Sequence, residues 1–153
     1  MGYALLSLDS DPPRLVRCGL VDVDRTLSTA ERLLAIANAL DALIAEYAPS
    51  ALALERLYFN KNVKTAMVVA EARGVALVCG ARARLEIAEY TPQEVKQGVT
   101  GNGGADKKAV QRMIVHVLKL DAPITEDNVA DAVAVAVTYA HRARFAARVA
   151  MAR

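Results

Sequence analysis

Two carboxylates stand in this sequence where packing alone has no use for an acid. Asp131 interrupts NVADAVAVAV, an apolar run with helical periodicity. An unpaired carboxylate withdrawn from water there costs several kcal/mol, so the side chain is expected to face a cleft, a cation or a metal. Glu55 closes the apolar segment Ala51 to Leu54 ahead of a polar stretch, and open α/β sheets place their ligands at the carboxyl ends of strands. Carboxylates from distant segments converging on a hard divalent cation are the donor chemistry of Mg²⁺-dependent nucleases. Plainer readings exist for each: Asp131 as an acid near a helix start favoured by the macrodipole, and Glu55 as a solvated strand-end acid.

The basic residues are placed more tellingly than they are numerous. Lys61 and Lys64 follow Glu55, Lys96 lies in PQEVKQ, and Lys107 and Lys108 open the segment after the turn GNGG. A glycine-rich turn running into a helix start exposes backbone N–H groups and attracts phosphate. Lysines there oppose the helix dipole, which argues for a purpose other than helix stability; the plainer reading is a solvated basic face. Tyr58 and Phe59 are adjacent aromatics among lysines and asparagines, where rings can stack on unpaired bases, although one of them is expected to anchor the loop to the core. Arg142, Arg144, Arg148 and Arg153 read as a solvated helix surface. His116 reads as a helix-face residue. His141 comes near Asp131 only if the last helix is continuous, and neither histidine has the spacing of a zinc ligand.

These side chains need a scaffold, and the pattern of the chain supplies one. Tyr3–Leu8 and Arg14–Val23, joined by the turn residues of SDPP, read as a hairpin. Ser28 with Glu31 forms a capping box that opens a helix ended by Pro49. Ala51–Leu54 reads as a buried parallel strand, and a helix follows over roughly Asn62–Arg84, with Gly74 and Gly80 permitting close approach. Glu86–Tyr90 is a further strand. Thr91-Pro92 opens a short helix through Gln97. Helices are then expected from Ala105 to Leu118 and from near Thr125 past His141. This order gives an α/β domain with a mixed sheet.

Composition narrows the class. The chain has 153 residues, 54% of them hydrophobic and 24% charged, which suits one cored domain over 1–153 rather than a disordered tail. A formal net charge of +2 does not by itself indicate nucleic acid. Cys18 and Cys79 are too few for a disulfide framework or a zinc site and fit a reducing cytosol. The start MGYALLSLDSD lacks the basic region of a signal peptide, and no apolar stretch reaches bilayer length free of charge. A cytoplasmic protein with no membrane segment is expected.

The pattern resembles the RuvC family of Holliday junction resolvases. The resemblance lies in ALALERLYFNKNVKTAMVVAEARGVAL, in YTPQEVKQGVTGNGGADKKAVQRMI and in NVADAVAVAVTYAHR, and it extends upstream to GYALLSLD. It implies an RNase H-like fold, a homodimer, and paired symmetric nicks in four-way junction DNA by Mg²⁺-dependent hydrolysis, with Mn²⁺ a possible substitute. A RuvA/RuvB-like branch-migration machine is a possible partner. By motif, Glu55 matches the acid that closes the A-x-E segment, and Asp131 the second acid of the carboxy-terminal pair. Tyr58 matches an aromatic that engages bases, and Lys96 and Lys107 match lysines that contact the cleaved strand.

The sequence departs from that pattern twice. The family's first, central strand with its G-[IV]-D-P-G motif has no counterpart, since GYALLSLD matches the second strand; Asp9 is rejected as its substitute. Asn128 stands at the first position of the carboxy-terminal pair, usually acidic or His; its carbonyl can ligate Mg²⁺ but brings no charge. Asp127 can substitute only if the helix begins later. The expectations are a chain that folds poorly alone, or closes the gap by pairing its first strand with the Glu55 strand, and an enzyme with impaired turnover. A start codon placed too far downstream is the favoured origin of the gap. The alternatives are a catalytically inactive junction-binding module working through Tyr58, Lys61, Lys96, Lys107 and Lys108, and an RNase H-like relative acting on RNA. Every one of the nuclease expectations requires Glu55 and Asp131 to meet at one cleft.

Overall fold

The computed structural model describes residues 1–56 and 63–152. In chain order it contains β1 (Gly2–Ser7), β2 (Arg14–Leu20), α1 (Thr29–Tyr47), β3 (Ala51–Glu55), α2 (Val63–Arg82), β4 (Glu86–Tyr90), α3 (Pro92–Thr100), α4 (Lys107–Leu118) and α5 (Asp127–Met151). Packing divides these into two compact units, Met1–Leu20 with Tyr90–Arg153, and Val21–Glu89.

The first unit is built on α5. Val133, Val137 and Ala140 have no exposed surface, and Ala130 and Ala134 almost none. Alanine and valine on nearly every side let β1, α3 and α4 all pack against this helix. The antiparallel hairpin β1–β2 runs in register from Gly2↔Leu20 to Ser7↔Arg14, with an irregularity between Leu5 and Leu6. Thr91 and Glu94 cap α3 reciprocally, with Pro92 at its start, and Gly101 ends it at φ +75°. That left-handed conformation costs glycine nothing. The helix therefore runs to Thr100, three residues past the expected stop at Gln97. Asp106 caps α4 by accepting the Ala109 N–H, so this helix starts at Lys107 rather than Ala105.

In the second unit, Ser28 and Glu31 form the expected capping box and α1 ends on Ala48 in the left-handed region. α1 packs on α2, where Arg82 pairs with Asp41 and Cys79 is buried. The Glu86 N–H donates to the Ser50 carbonyl at 3.0 Å. That bond sets the start of β4 beside the start of β3, the parallel arrangement a helical crossover requires. Gly80 is needed at this crossover, because a Cβ there would lie 2.6 Å from Leu52 Cδ2. Gly74, expected to play the same part, faces nothing within 4 Å.

The expected closure of the sheet by pairing β1 with β3 does not occur. Among the described residues the strands form two two-stranded sheets, β1 with β2 and β3 with β4. Each pair closes locally, the first through a tight turn and the second through α2. Arg142 and Arg148 of α5 are solvated as expected, whereas Arg144 is half-buried and Arg153 lies outside the described residues. Arg144 pairs with Asp11 at 2.7 Å and donates to the Ser10 carbonyl, and Arg142 stacks 4.9 Å from the Tyr90 ring centroid while pairing with Glu94.

Candidate active site

The first unit brings Lys107, Lys108, Asn128 and Asp131 together at the starts of α4 and α5. Glu126 caps α5, accepting the Val129 N–H at 2.9 Å and the Asn128 side-chain amide at 3.3 Å. Asp127 is the first residue of α5, and Lys107, the first of α4, sets its Nζ 3.0 Å from Asp127 Oδ2. Asp131 follows one turn later. Positions three and four apart share a helix face, so Asp127, Asn128 and Asp131 project to the same side. The helix does begin at Asp127, and that carboxylate is engaged with Lys107.

Electrostatics set Asp131 apart. Its side chain reaches solvent, yet neighbouring atoms displace enough water that desolvation pushes its carboxyl above the ordinary value. Asp127 and Glu126 push the same way, and Lys107 pulls it down. Lys107 is correspondingly raised, first by its hydrogen bond to Asp127 and further by the field of Asp131. The ammonium thus serves a crowded set of carboxylates. β1 fixes where this cluster sits: a Cβ on Gly2 would lie 1.9 Å from the Asn128 carbonyl oxygen. Only glycine permits that approach.

The GNGG turn departs from expectation. Its N–H groups are not offered outward for phosphate. The Gly101 N–H donates to the Gln97 carbonyl, that of Asn102 to Thr100 Oγ1, that of Gly103 to Gln97 Oε1 and that of Gly104 to Asn102 Oδ1. The exposed lysines beside the turn remain as candidate phosphate contacts. Lys108 is exposed and Lys96 half-buried on α3. His141 is on a continuous α5 but ten residues beyond Asp131, where its Nδ1 meets the Gly98 carbonyl at 2.8 Å. It is structural.

Glu55 belongs to the second unit, exposed at the end of β3 as expected. Arg73 holds that strand end, donating to the Glu55 carbonyl at 3.1 Å and pairing with Glu89 at 2.6 Å. Tyr58, Phe59 and Lys61 lie outside the described residues. Among the described residues, no group of three or more His, Cys, Asp or Glu side chains is arranged to hold a metal ion.

The model of the family described as "Crossover junction endodeoxyribonuclease RuvC" matches residues 1–139. The chain belongs to the RuvC family. A RuvC from Alkaliphilus oremlandii is 43% identical over 145 residues, covering 95% of this chain and 88% of the relative. One from Roseiflexus sp. is 44% identical over 149 residues, covering 97% and 89%. The solved structure of Thermus thermophilus RuvC superposes with a TM-score of 0.87 at 28% identity, covering 95% of this chain and 89% of that one. The same enzyme in complex with a Holliday junction substrate gives 0.88, covering 95% and 88%. The RNase H-like α/β fold expected from the sequence is thus the fold of this RuvC chain, and its segments from β1 into α5 fall within the matched region.

Within that RuvC frame the residues the sequence did not single out are supporting ones. Gln97 organises the turn after α3 with both ends of its amide, donating to the Gly101 carbonyl and accepting from Gly103. Gly98 brings α3 onto Thr138 of α5. The only sequence signal for either was a position inside a strongly patterned helix.

Proposed function

We propose that this chain is a crossover junction endodeoxyribonuclease that hydrolyses phosphodiester bonds in four-way DNA junctions, making symmetric nicks during recombination and repair. The observation that carries this reading is Asp131: a solvent-reaching carboxylate, raised by desolvation and by two neighbouring acids, within a family match that spans the site. Such a group favours an added positive charge. Asp131, with Glu55 and the Asn128 side-chain oxygen, offers only hard oxygen donors, which suit Mg²⁺ or its substitute Mn²⁺. When bound, the cation supplies Lewis acidity and an activated water.

The chain's own residues do the rest. Lys107 holds charge balance beside Asp131 while Asp127 keeps its ammonium in place. Lys96 and Lys108 supply cations for the substrate phosphates, and Lys61 extends them; Tyr58 and Phe59 supply rings for bases opened at the crossover. Residues 1–153 act in this reading as a single RNase H-like domain. It works as a homodimer in the cytoplasm, alongside a RuvA/RuvB-like branch-migration complex. No helix among the described residues is long and apolar enough to cross a membrane.

One observation favours a second reading, a junction-binding module that cuts weakly or not at all. Asn128 places a neutral amide where a charged ligand would strengthen cation binding. The test is nicking of a synthetic four-way junction in Mg²⁺ and in Mn²⁺, with a linear duplex of the same sequence as control. Paired nicks lost in Glu55→Gln and Asp131→Asn support the nuclease. Tight, salt-sensitive junction binding without nicks supports the binding module. Asn128→Asp is expected to lower the Mg²⁺ concentration needed for half-maximal cutting.

A further inference from the structure

Lys108, Arg112, His116 and Lys119 follow one another at four, four and three residues along α4 and its C-cap. At about 100° per residue they fall within an arc of roughly 80°, nearly opposite the buried Ile114. All are exposed, and none is ion-paired among the described residues. The contrast within the same unit is sharp: Lys107, Arg142, Arg144 and Arg148 each have a carboxylate partner. Three cations without an acid partner among the described residues, Lys108, Arg112 and Lys119, therefore share this face with His116.

The face is also concave. An open hollow of about 650 Å³, lined by Thr100, Asn102, Arg112 and His116, lies between the turn after α3 and the outward side of α4. A second of about 520 Å³, lined by Pro12, His116 and Lys119, adjoins it at His116. The Asp106 carboxylate also borders the first hollow, with its Oδ1 accepting the Ala109 N–H.

We infer that this face of α4 is a track for the phosphate backbone of a duplex DNA arm, leading away from the Lys107–Asp131 cluster. The inference rests on the junction-nuclease reading and extends it to residues that reading does not use. With a rise of about 1.5 Å per residue, Lys108 to Lys119 spans about 16 Å. At about 3.4 Å per base pair, that follows roughly five base pairs of one strand. The spaced cations suit a polyanion of regular repeat.

The test compares the parent protein with Arg112→Gln/His116→Gln/Lys119→Gly on four-way junctions of graded arm length. Lys119 is at φ 51°, a conformation in which glycine is unstrained, so that change removes charge without a folding cost. Losing two formal cations is expected to reduce the slope of log K against log salt by about 2, so that binding falls about tenfold less between 50 and 200 mM salt. The variant should bind more weakly at low salt, and the loss should shrink on arms shorter than about five base pairs. Single-turnover nicking at saturating protein should be unchanged, with an unaltered melting temperature as the folding control. Arg112→Lys should keep the parent slope.

A parent that binds and nicks junctions while the variant keeps the same salt slope overturns the track and leaves the nuclease intact; the stripe would then fit an acidic protein surface. A parent that neither binds nor nicks any junction overturns both readings.

Discussion

Gly98→Ala should couple folding and activity through one contact. A Cβ at position 98 would lie 2.5 Å from Thr138 Cγ2, 2.8 Å from Thr138 Oγ1 and 3.0 Å from Thr138 Cβ. Thr138 is fully buried, and its hydroxyl donates to the Ala134 carbonyl at 2.9 Å, with the Val95 carbonyl at 3.3 Å, so the side chain cannot swing away cheaply. Overpacking of this kind costs about 1–3 kcal/mol, against which alanine recovers about 0.5–1 kcal/mol over glycine inside a helix. The net expectation is a loss of up to about 2 kcal/mol, or up to roughly 8 °C in melting temperature for a chain of this size. Because α3 carries Lys96 and α5 carries Asp131, the same displacement should slow nicking. In a Thr138→Ala background the two nearer atoms, the methyl and the hydroxyl, are gone and only the Cβ contact at 3.0 Å remains, so Gly98→Ala should cost much less. Urea unfolding of the four members of this double-mutant cycle reads the coupling directly. Equal destabilisation by Gly98→Ala in both backgrounds would refute the contact as the determinant of the α3–α5 spacing.

Other consequences are simpler to test. Gly2→Ala sets a methyl against the Asn128 backbone, which can only move as a unit, so both the urea midpoint and nicking should fall; Gly74→Ala, facing open space, should raise the unfolding free energy by about 0.5–1 kcal/mol. In EDTA at neutral pH, Asp131→Asn should raise the melting temperature slightly while abolishing nicking, since desolvation, Asp127 and Glu126 all disfavour the ionised carboxylate; solvent access keeps the gain below about 1 kcal/mol. The Glu31 and Glu94 carboxyls are lowered by their hydrogen bonds to Ser28 and Thr91. Their support for α1 and α3 is therefore complete above the ordinary carboxylate range and lost as pH falls through their folded values. Unfolding midpoints measured from pH 6 down to pH 3 should decline less steeply in Glu31→Gln/Glu94→Gln.

The fold was legible where local chemistry decides it. Ser28 with Glu31 and Thr91 with Pro92 specify helix starts within a few residues of chain, and both helices open there as expected, the second with Glu94 closing a capping box that was not read from the sequence. Glu55 at the end of β3 and Asp131 on a continuous apolar helix follow equally from pattern. What escaped depends on groups distant in sequence or on competition among neighbours. Nothing local shows that Arg144 will close over the Leu8–Asp11 turn, more than 130 residues away. Two glycines in one helix look alike until Leu52 meets only Gly80. In the GNGG turn, composition announces free N–H groups, but Gln97, Thr100 and Asn102 reach them before any phosphate can.

The two readings of Asp131 open from sequence can be separated by where the helix begins. An acid kept for the macrodipole belongs in the first turn, because the field of the unpaired N–H groups fades beyond it. That position is held by Asp127, the acid in the first turn of α5, with Glu126 capping the helix in front of it. Asp131 comes a turn later, where the dipole offers little and both of those acids repel it. Lys107 returns part of the cost, but its hydrogen bond goes to Asp127. Folding alone would favour a neutral residue at position 131. A side chain that works against its own helix, on the face it shares with Asn128 and in the segment matched to the RuvC family, is what the proposed nuclease reading asks of a cation ligand, and loss of nicking in Asp131→Asn with folding retained is the outcome that reading expects.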